Sequence, residues 1–175
     1  MKHYSLVALL ALMLALGACN RVDNNSLPSY PVHIDLTYGR WNTYGPNGVG
    51  DYRIFNRDKK QPSNFPYDIN TYTGYGGVLV IIGQDLLNGD FVPMAYEMSC
   101  PVEARGDVVV QLEVNDKGTT EAVCPMCKSR YDVEFQGGRA VSGMAVTRNK
   151  GMNAYHVRFV SDRAQYMNYG CTIVN

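Results

Sequence analysis

Cys124-Pro125-Met126-Cys127-Lys128-Ser129-Arg130-Tyr131-Asp132-Val133-Glu134-Phe135 is the stretch on which the fold turns. A Cys-x-x-Cys pair that opens a helix in a βαβ setting marks a thioredoxin-like redox site. Here Tyr131, Val133 and Phe135 alternate with Asp132 and Glu134, and Gln136-Gly137-Gly138 follows. That is the period of a half-buried strand ended by a turn, so the two cysteines sit in a loop between strands. Upstream lies a second cysteine loop, Ser99-Cys100-Pro101-Val102-Glu103. Between the two, Val108, Val110, Leu112 and Val114 form one face of a strand that ends at Asn115-Asp116-Lys117-Gly118. Further out, Gly77 to Ile82 is a β-branched apolar run, and Phe91 to Tyr96 follows an Asn88-Gly89-Asp90 turn. Val32, Ile34 and Leu36 alternate near one end, and Tyr155, Val157 and Phe159 alternate after Asn149-Lys150-Gly151 near the other. No segment carries the 3.6-residue apolar period of a long amphipathic helix. The fold class is all-β, an antiparallel sandwich or barrel.

The N-terminus points to an export signal. Met1-Lys2-His3 is a short basic lead, Tyr4 to Leu16 is almost unbroken apolar chain, and small residues precede Cys19. The run is too short to span a bilayer, which takes about 20 residues. Leu16-Gly17-Ala18-Cys19 resembles the lipobox of bacterial lipoproteins. The resemblance implies a signal peptide over 1–18 and acylation of Cys19, with palmitate among the chains. It places the protein in the bacterial cell envelope, outside the inner membrane, on the periplasmic face of the outer membrane. Several acyl chains at about 0.8 kcal/mol per buried methylene would hold such a domain firmly on a membrane. Removing the signal takes away one charge, Lys2, and leaves about 157 residues with a net charge near −1. A chain so balanced offers no electrostatic reason to expect nucleic acid as partner. Residues 19–29 are polar and aperiodic and read as a flexible tether. Residues 30–175 then form one domain, long enough for a core of its own.

In their order, these features resemble the Rieske iron–sulfur domain family. Cys124-Pro125-Met126-Cys127-Lys128-Ser129-Arg130-Tyr131-Asp132 is similar to that family's Cys-Pro-x-His-Gly-Ser-x-Phe/Tyr-Asp loop. Gly138-Arg139-Ala140-Val141-Ser142-Gly143-Met144-Ala145 resembles its Gly-x-Val-x-x-Gly-Pro-Ala turn, with Met144 in place of the proline. The likeness runs from about Gly77 to Val160, roughly half of the mature chain. It implies a Rieske-like sandwich or barrel with a small two-loop subdomain of the cluster-binding type at about 97–145. In the family, Cys-x-His and Cys-x-x-His hold two irons, cysteines on one and histidines on the other. Val102 and Cys127 stand here where the histidines would be.

The resemblance therefore implies a site built from Cys100, Cys124 and Cys127, and three outcomes stay open for it. A modified 2Fe–2S cluster would need a fourth ligand: Glu103, Cys171, His33 or His156, or a group from outside. With thiolates replacing imidazoles, its potential would move toward roughly −400 mV, and the protein would be an electron-transfer component with a redox partner in the envelope. A disulfide between Cys100 and Cys124, or Cys100 and Cys127, would staple the loops in an oxidising compartment. Closing about 25 residues that way contributes roughly 3 kcal/mol, and the domain would then have a structural or interaction role. Zinc suits the Cys-x-x-Cys spacing, but no second Cys-x-x-Cys follows.

Cys171 reads as a small buried hydrophobe on a last strand, and His156 as an outward residue of its strand. Seven of the 13 tyrosines lie between Tyr30 and Tyr75 with Trp41, which suggests loops packed over the sheet or an aromatic binding face. Glu97, Glu103 and Asp107 lie near the first cysteine loop, yet no Ser/His/Asp or Cys/His set can be assembled around them. An enzyme acting alone is not expected.

Overall fold

The computed structural model describes residues 27–175. The expected signal peptide, Cys19 and most of the tether lie outside the described residues. Among the described residues, eleven strands form two antiparallel sheets, in keeping with the all-β expectation. The larger sheet is a nearly closed, barrel-like arrangement in the order β2-β4-β5-β10-β11-β1-β3. Its strands are β1 (Val32–Thr37), β2 (Tyr52–Phe55), β3 (Tyr72–Thr73), β4 (Val78–Gln84), β5 (Phe91–Glu97), β10 (Ala154–Phe159) and β11 (Gly170–Val174). The smaller sheet runs β6 (Gln111–Val114), β7 (Thr120–Val123), β8 (Arg130–Asp132) and β9 (Arg139–Ser142). Near the gap between edge strands β2 and β3, Arg57 donates its backbone N–H to Thr73 Oγ1 (3.3 Å) and its guanidinium to the Thr71 carbonyl (3.3 Å).

The apolar run of β4 explains how the sheets stack. Val78, Val80 and Ile82 point into the barrel and pack with Ile34, Leu36, Trp41, Phe55 and Ile173. Leu79 and Ile81, on the opposite face, join the second core with Tyr96, Met98, Ala122, Tyr131, Val133 and Met152. A strand buried on both faces has no polar alternation, which is why this stretch reads as an unbroken run. Each such Val, Leu or Ile contributes about 1.5–3 kcal/mol on burial.

The region around residues 30–75 is part of the barrel wall. Antiparallel pairing of β1 with β11 brings His33 opposite Val174 and Thr37 opposite Gly170, and β2 pairs along β4. Rings fill one end of the barrel: Phe65 meets Phe55, Tyr44 and Tyr67 edge-on at centroid distances of 4.8–5.1 Å. Trp41 is buried on the short helix α1 (Gly39–Tyr44), with Tyr166 of α3 (Tyr166–Tyr169) against it at 5.5 Å. Edge-to-face pairs of this kind add about 0.5–1.5 kcal/mol beyond their burial. Trp41, Tyr44 and Tyr67 thus pack at the barrel end, while Tyr38 and Tyr72 are exposed. Tyr30 and Tyr75 differ, stacking at 5.0 Å with Tyr30 about half exposed.

Two local expectations change. The strand expected from Val108 begins only at Gln111, as β6, and Val114 at its end is exposed. The alternation Tyr131, Val133, Phe135 continues past the strand, because β8 stops at Asp132. Asp132 Oδ1 accepts the N–H groups of Glu134 (3.1 Å) and Phe135 (2.8 Å), folding the chain into an Asx-type turn that competes with the ladder.

Candidate functional site

Two turns of matching construction carry the cysteines. In the first, the Cys100 carbonyl accepts the Ala104 N–H (2.9 Å); in the second, the Cys124 carbonyl accepts the Lys128 N–H (3.1 Å). Each has proline after the cysteine, fixing φ there, and each ends on a left-handed residue: Ala104 at φ 53° and Lys128 at φ 59°. A non-glycine residue in that region costs about 1–2 kcal/mol, so both loops hold their shape against local preference. The cysteine N–H groups are anchored as well, Cys100 to the Val108 carbonyl and Cys124 to the Ser129 carbonyl, both at 2.9 Å.

These turns aim three sulfurs at one point. Cys100, Cys124 and Cys127 Sγ all lie within 4.8 Å of one another, with Cys100 and Cys127 at 3.7 Å. Cys100 and Cys124 are buried and Cys127 is half-buried; none is bridged. Buried Tyr131 places its hydroxyl 3.7 Å from Cys100 Sγ. The Ser129 hydroxyl lies 3.2 Å from Cys127 Sγ and accepts the Ala145 N–H (3.0 Å). Ala145 belongs to the short helix α2 (Met144–Thr147), which closes over the second loop. Its approach depends on Gly143 at φ 81°, where a Cβ would come within 2.8 Å of Ser129 Cα.

The three sulfurs are not equivalent. Burial pushes the Cys124 thiol up to about 12, with its two sulfur neighbours adding to the shift. At Cys127 burial also pushes upward, but hydrogen bonds from the Ser129 hydroxyl and backbone, and then from the other two cysteines, outweigh it and hold the thiol below its ordinary value. Burial and the nearby sulfurs drive the Tyr131 phenol well above its usual range, so it stays a neutral donor.

Of the fourth ligands considered from sequence, none joins this group among the described residues. Cys171 is buried in the other core, on β11 beside Ile34 and Leu36, where desolvation raises its thiol to about 12. His156 faces outward on β10, and exposed His33 pairs through Nδ1 with the Asn70 carbonyl (3.0 Å). Glu103 is half-buried on the first loop, outside the 4.8 Å group. The donor set thus does not fit a 2Fe–2S cluster. Such a cluster needs two ligands on each of two irons, whereas these three sulfurs crowd around one point and Val102 donates nothing.

The acids near the first loop have other tasks. Glu97 is buried and accepts the N–H groups of Tyr75 (2.8 Å), Gly76 (2.7 Å) and Ser99 (2.9 Å) and the Tyr155 hydroxyl (2.6 Å). It is the polar knot that fixes the strand end leading to Cys100. Exposed Asp107 pairs with Arg105 at 2.6 Å. Glu97 as a structural acceptor, and Ser129 and Tyr131 as neighbours of the sulfurs, emerge only from the fold. The available signal was an acid one residue beyond an apolar strand face, and a Ser and a Tyr directly after Cys-x-x-Cys.

No protein-family model matches this sequence, and no curated protein or solved structure matches it. No helix among the described residues is long and apolar enough to cross a membrane.

Proposed function

We propose that this protein is a non-catalytic β domain of Rieske-like shape, tethered by lipid at Cys19 to the periplasmic face of a bacterial envelope membrane. Its three loop cysteines close the loop subdomain, and the closed loop end serves as a contact surface for an envelope partner. The convergence of Cys100, Cys124 and Cys127 Sγ within 4.8 Å supports this most directly. Sulfurs so placed tie residues 97–145 together at the point where both turns spend backbone strain. Exposed Met126 on the second loop, and exposed Met144 and Val146 on α2, favour a contact role for this end. A disulfide uses two of the sulfurs: Cys100–Cys127, the 3.7 Å pair, would have to draw in by about 1.7 Å, while Cys100–Cys124 leaves Cys127 over. A single metal ion uses all three.

Hydrogen exchange of the full chain and of Cys124→Ser tests this reading. Faster exchange confined to about 97–145, with no loss of visible absorbance, is the expected result. Unchanged exchange there would overturn the closing role. Loss of a visible band, together with iron and acid-labile sulfide in the wild type, would make the protein a 2Fe–2S electron carrier instead. Release of Cys19→Ser from the membrane fraction tests the anchor.

A further inference from the structure

We propose that Cys100, Cys124 and Cys127 hold one soft divalent metal ion of the zinc class, with the Glu103 carboxylate as fourth ligand. This rests on the closing role given above to the three cysteines and names what closes them. A tetrahedral ion with metal–sulfur bonds near 2.3 Å wants its thiolates about 3.8 Å apart. Cys100 and Cys127 stand at 3.7 Å, and all three sulfurs fall within 4.8 Å.

The fourth ligand follows from the likeness of the two turns. Both run Cys-Pro-x-x and then a left-handed residue that donates back to the cysteine carbonyl. Cys100 corresponds to Cys124, and Ala104 to Lys128. In that register Cys127, the second ligand of its own turn, corresponds to Glu103. Glu103 is half-buried and carries the remaining donor of the pair of turns; its carboxylate stands outside the 4.8 Å group of sulfurs, so the ion must draw it in. A carboxylate oxygen is an ordinary zinc ligand, and three thiolates with a carboxylate make a closed site of the kind that stabilises folds. Cys171, His33 and His156 are placed elsewhere by the barrel and do not compete.

The test is a Co²⁺ titration of the reduced, metal-free full chain. Thiolate-to-cobalt charge transfer and tetrahedral d–d bands give the readout, and Zn²⁺ competition gives the affinity. One ion per chain is expected, with both sets of bands. Cys127→Ser, at a half-exposed position that leaves the buried pair in place, should lose most of the charge-transfer intensity. Glu103→Gln should keep that intensity, shift the d–d bands and weaken binding by at least about tenfold. Absence of tetrahedral bands in a chain whose far-ultraviolet dichroism shows it folded would overturn the proposal. So would a Glu103→Gln spectrum and affinity identical to the wild type. If Co²⁺ fails to bind while Cys124→Ser still loosens residues 97–145, only the metal assignment falls. If neither has an effect, the closing role falls with it.

Discussion

The barrel and the loop subdomain are both antiparallel sheet, and they hold themselves together by different means. The barrel has an inside. Seven strands surround Ile34, Leu36, Trp41, Phe55, Val78, Val80, Ile82 and Ile173, and near-closure lets the longer strands bury one face against the others. The four-stranded sheet has no interior of its own. Ala122, Tyr131 and Val133 are buried against Leu79 and Ile81 on the outer face of β4, together with Tyr96, Met98 and Met152. The cysteine turns lie against the same core, with Cys100 and Cys124 buried in it and Cys127 half-buried at its edge. Cysteine follows the same division: Cys171 fills apolar space in the barrel, while Cys100 and Cys124 meet Cys127 at the edge of the second core.

Breaking the barrel from within should have the largest effect. Trp41→Ala removes the largest buried side chain and should cost about 3–5 kcal/mol, read as a lower urea midpoint with one cooperative transition. If the transition splits in two, the loop subdomain is less dependent on the barrel than its shared core implies. Next comes the joint between the regions. Glu97→Ala strands the N–H groups of Tyr75, Gly76 and Ser99, so a loss of about 2–4 kcal/mol is expected, with faster hydrogen exchange around Cys100.

The cysteines sharpen the contrast further. Cys171→Ser puts a hydroxyl into apolar surroundings and should cost about 1–3 kcal/mol whether or not metal or oxidant is present. Cys127→Ser should cost little in the reduced, metal-free chain and should abolish any stabilisation gained from zinc or from oxidation. Equal behaviour of the two variants would erase the distinction between packing cysteine and linking cysteine.

The smallest expected effect is on pH. Burial raises the Glu121 carboxyl, but hydrogen bonds from Arg130 (2.6 Å) and Asn115 (2.6 Å) outweigh it and hold the group below its ordinary 4.5. The folded chain therefore gives up this proton more readily than the unfolded chain. The stability it contributes is complete above the unfolded value and fades as pH falls through the lower, folded value. Urea midpoints between pH 6 and pH 3 should drop less steeply for Glu121→Gln than for the wild type.

Some of this was open to view in the sequence. Val32, Ile34 and Leu36, the alternation at Tyr155–Phe159 and the apolar run before Gln84 are all strands, because burial on one face or two leaves a period that composition reveals. Other elements left no such mark. Gly39-Arg40-Trp41-Asn42-Thr43-Tyr44 is poor in helix formers and becomes α1 because Trp41 is drawn into the barrel end. Tyr52–Phe55 is too short and too evenly half-buried to show a period, and it is a strand because β4 offers it an edge.

Local chemistry determined the strands that carry an apolar period, the turns and the two Cys-Pro loops, since each depends on residues within a few positions of one another. The sequence by itself also set the spacing of Cys124 and Cys127 and the exposed side of His156. Tertiary structure decided which of these pieces meet. Pairing β1 with β11 joins Ile34 to Ile173 across most of the chain, and it commits Cys171 to the barrel rather than to the other thiols. The second sheet, laid against β4, brings Cys100 to Cys127 from 27 residues away. Contacts of that range are set by which apolar faces can be buried together, and no local period carries that information.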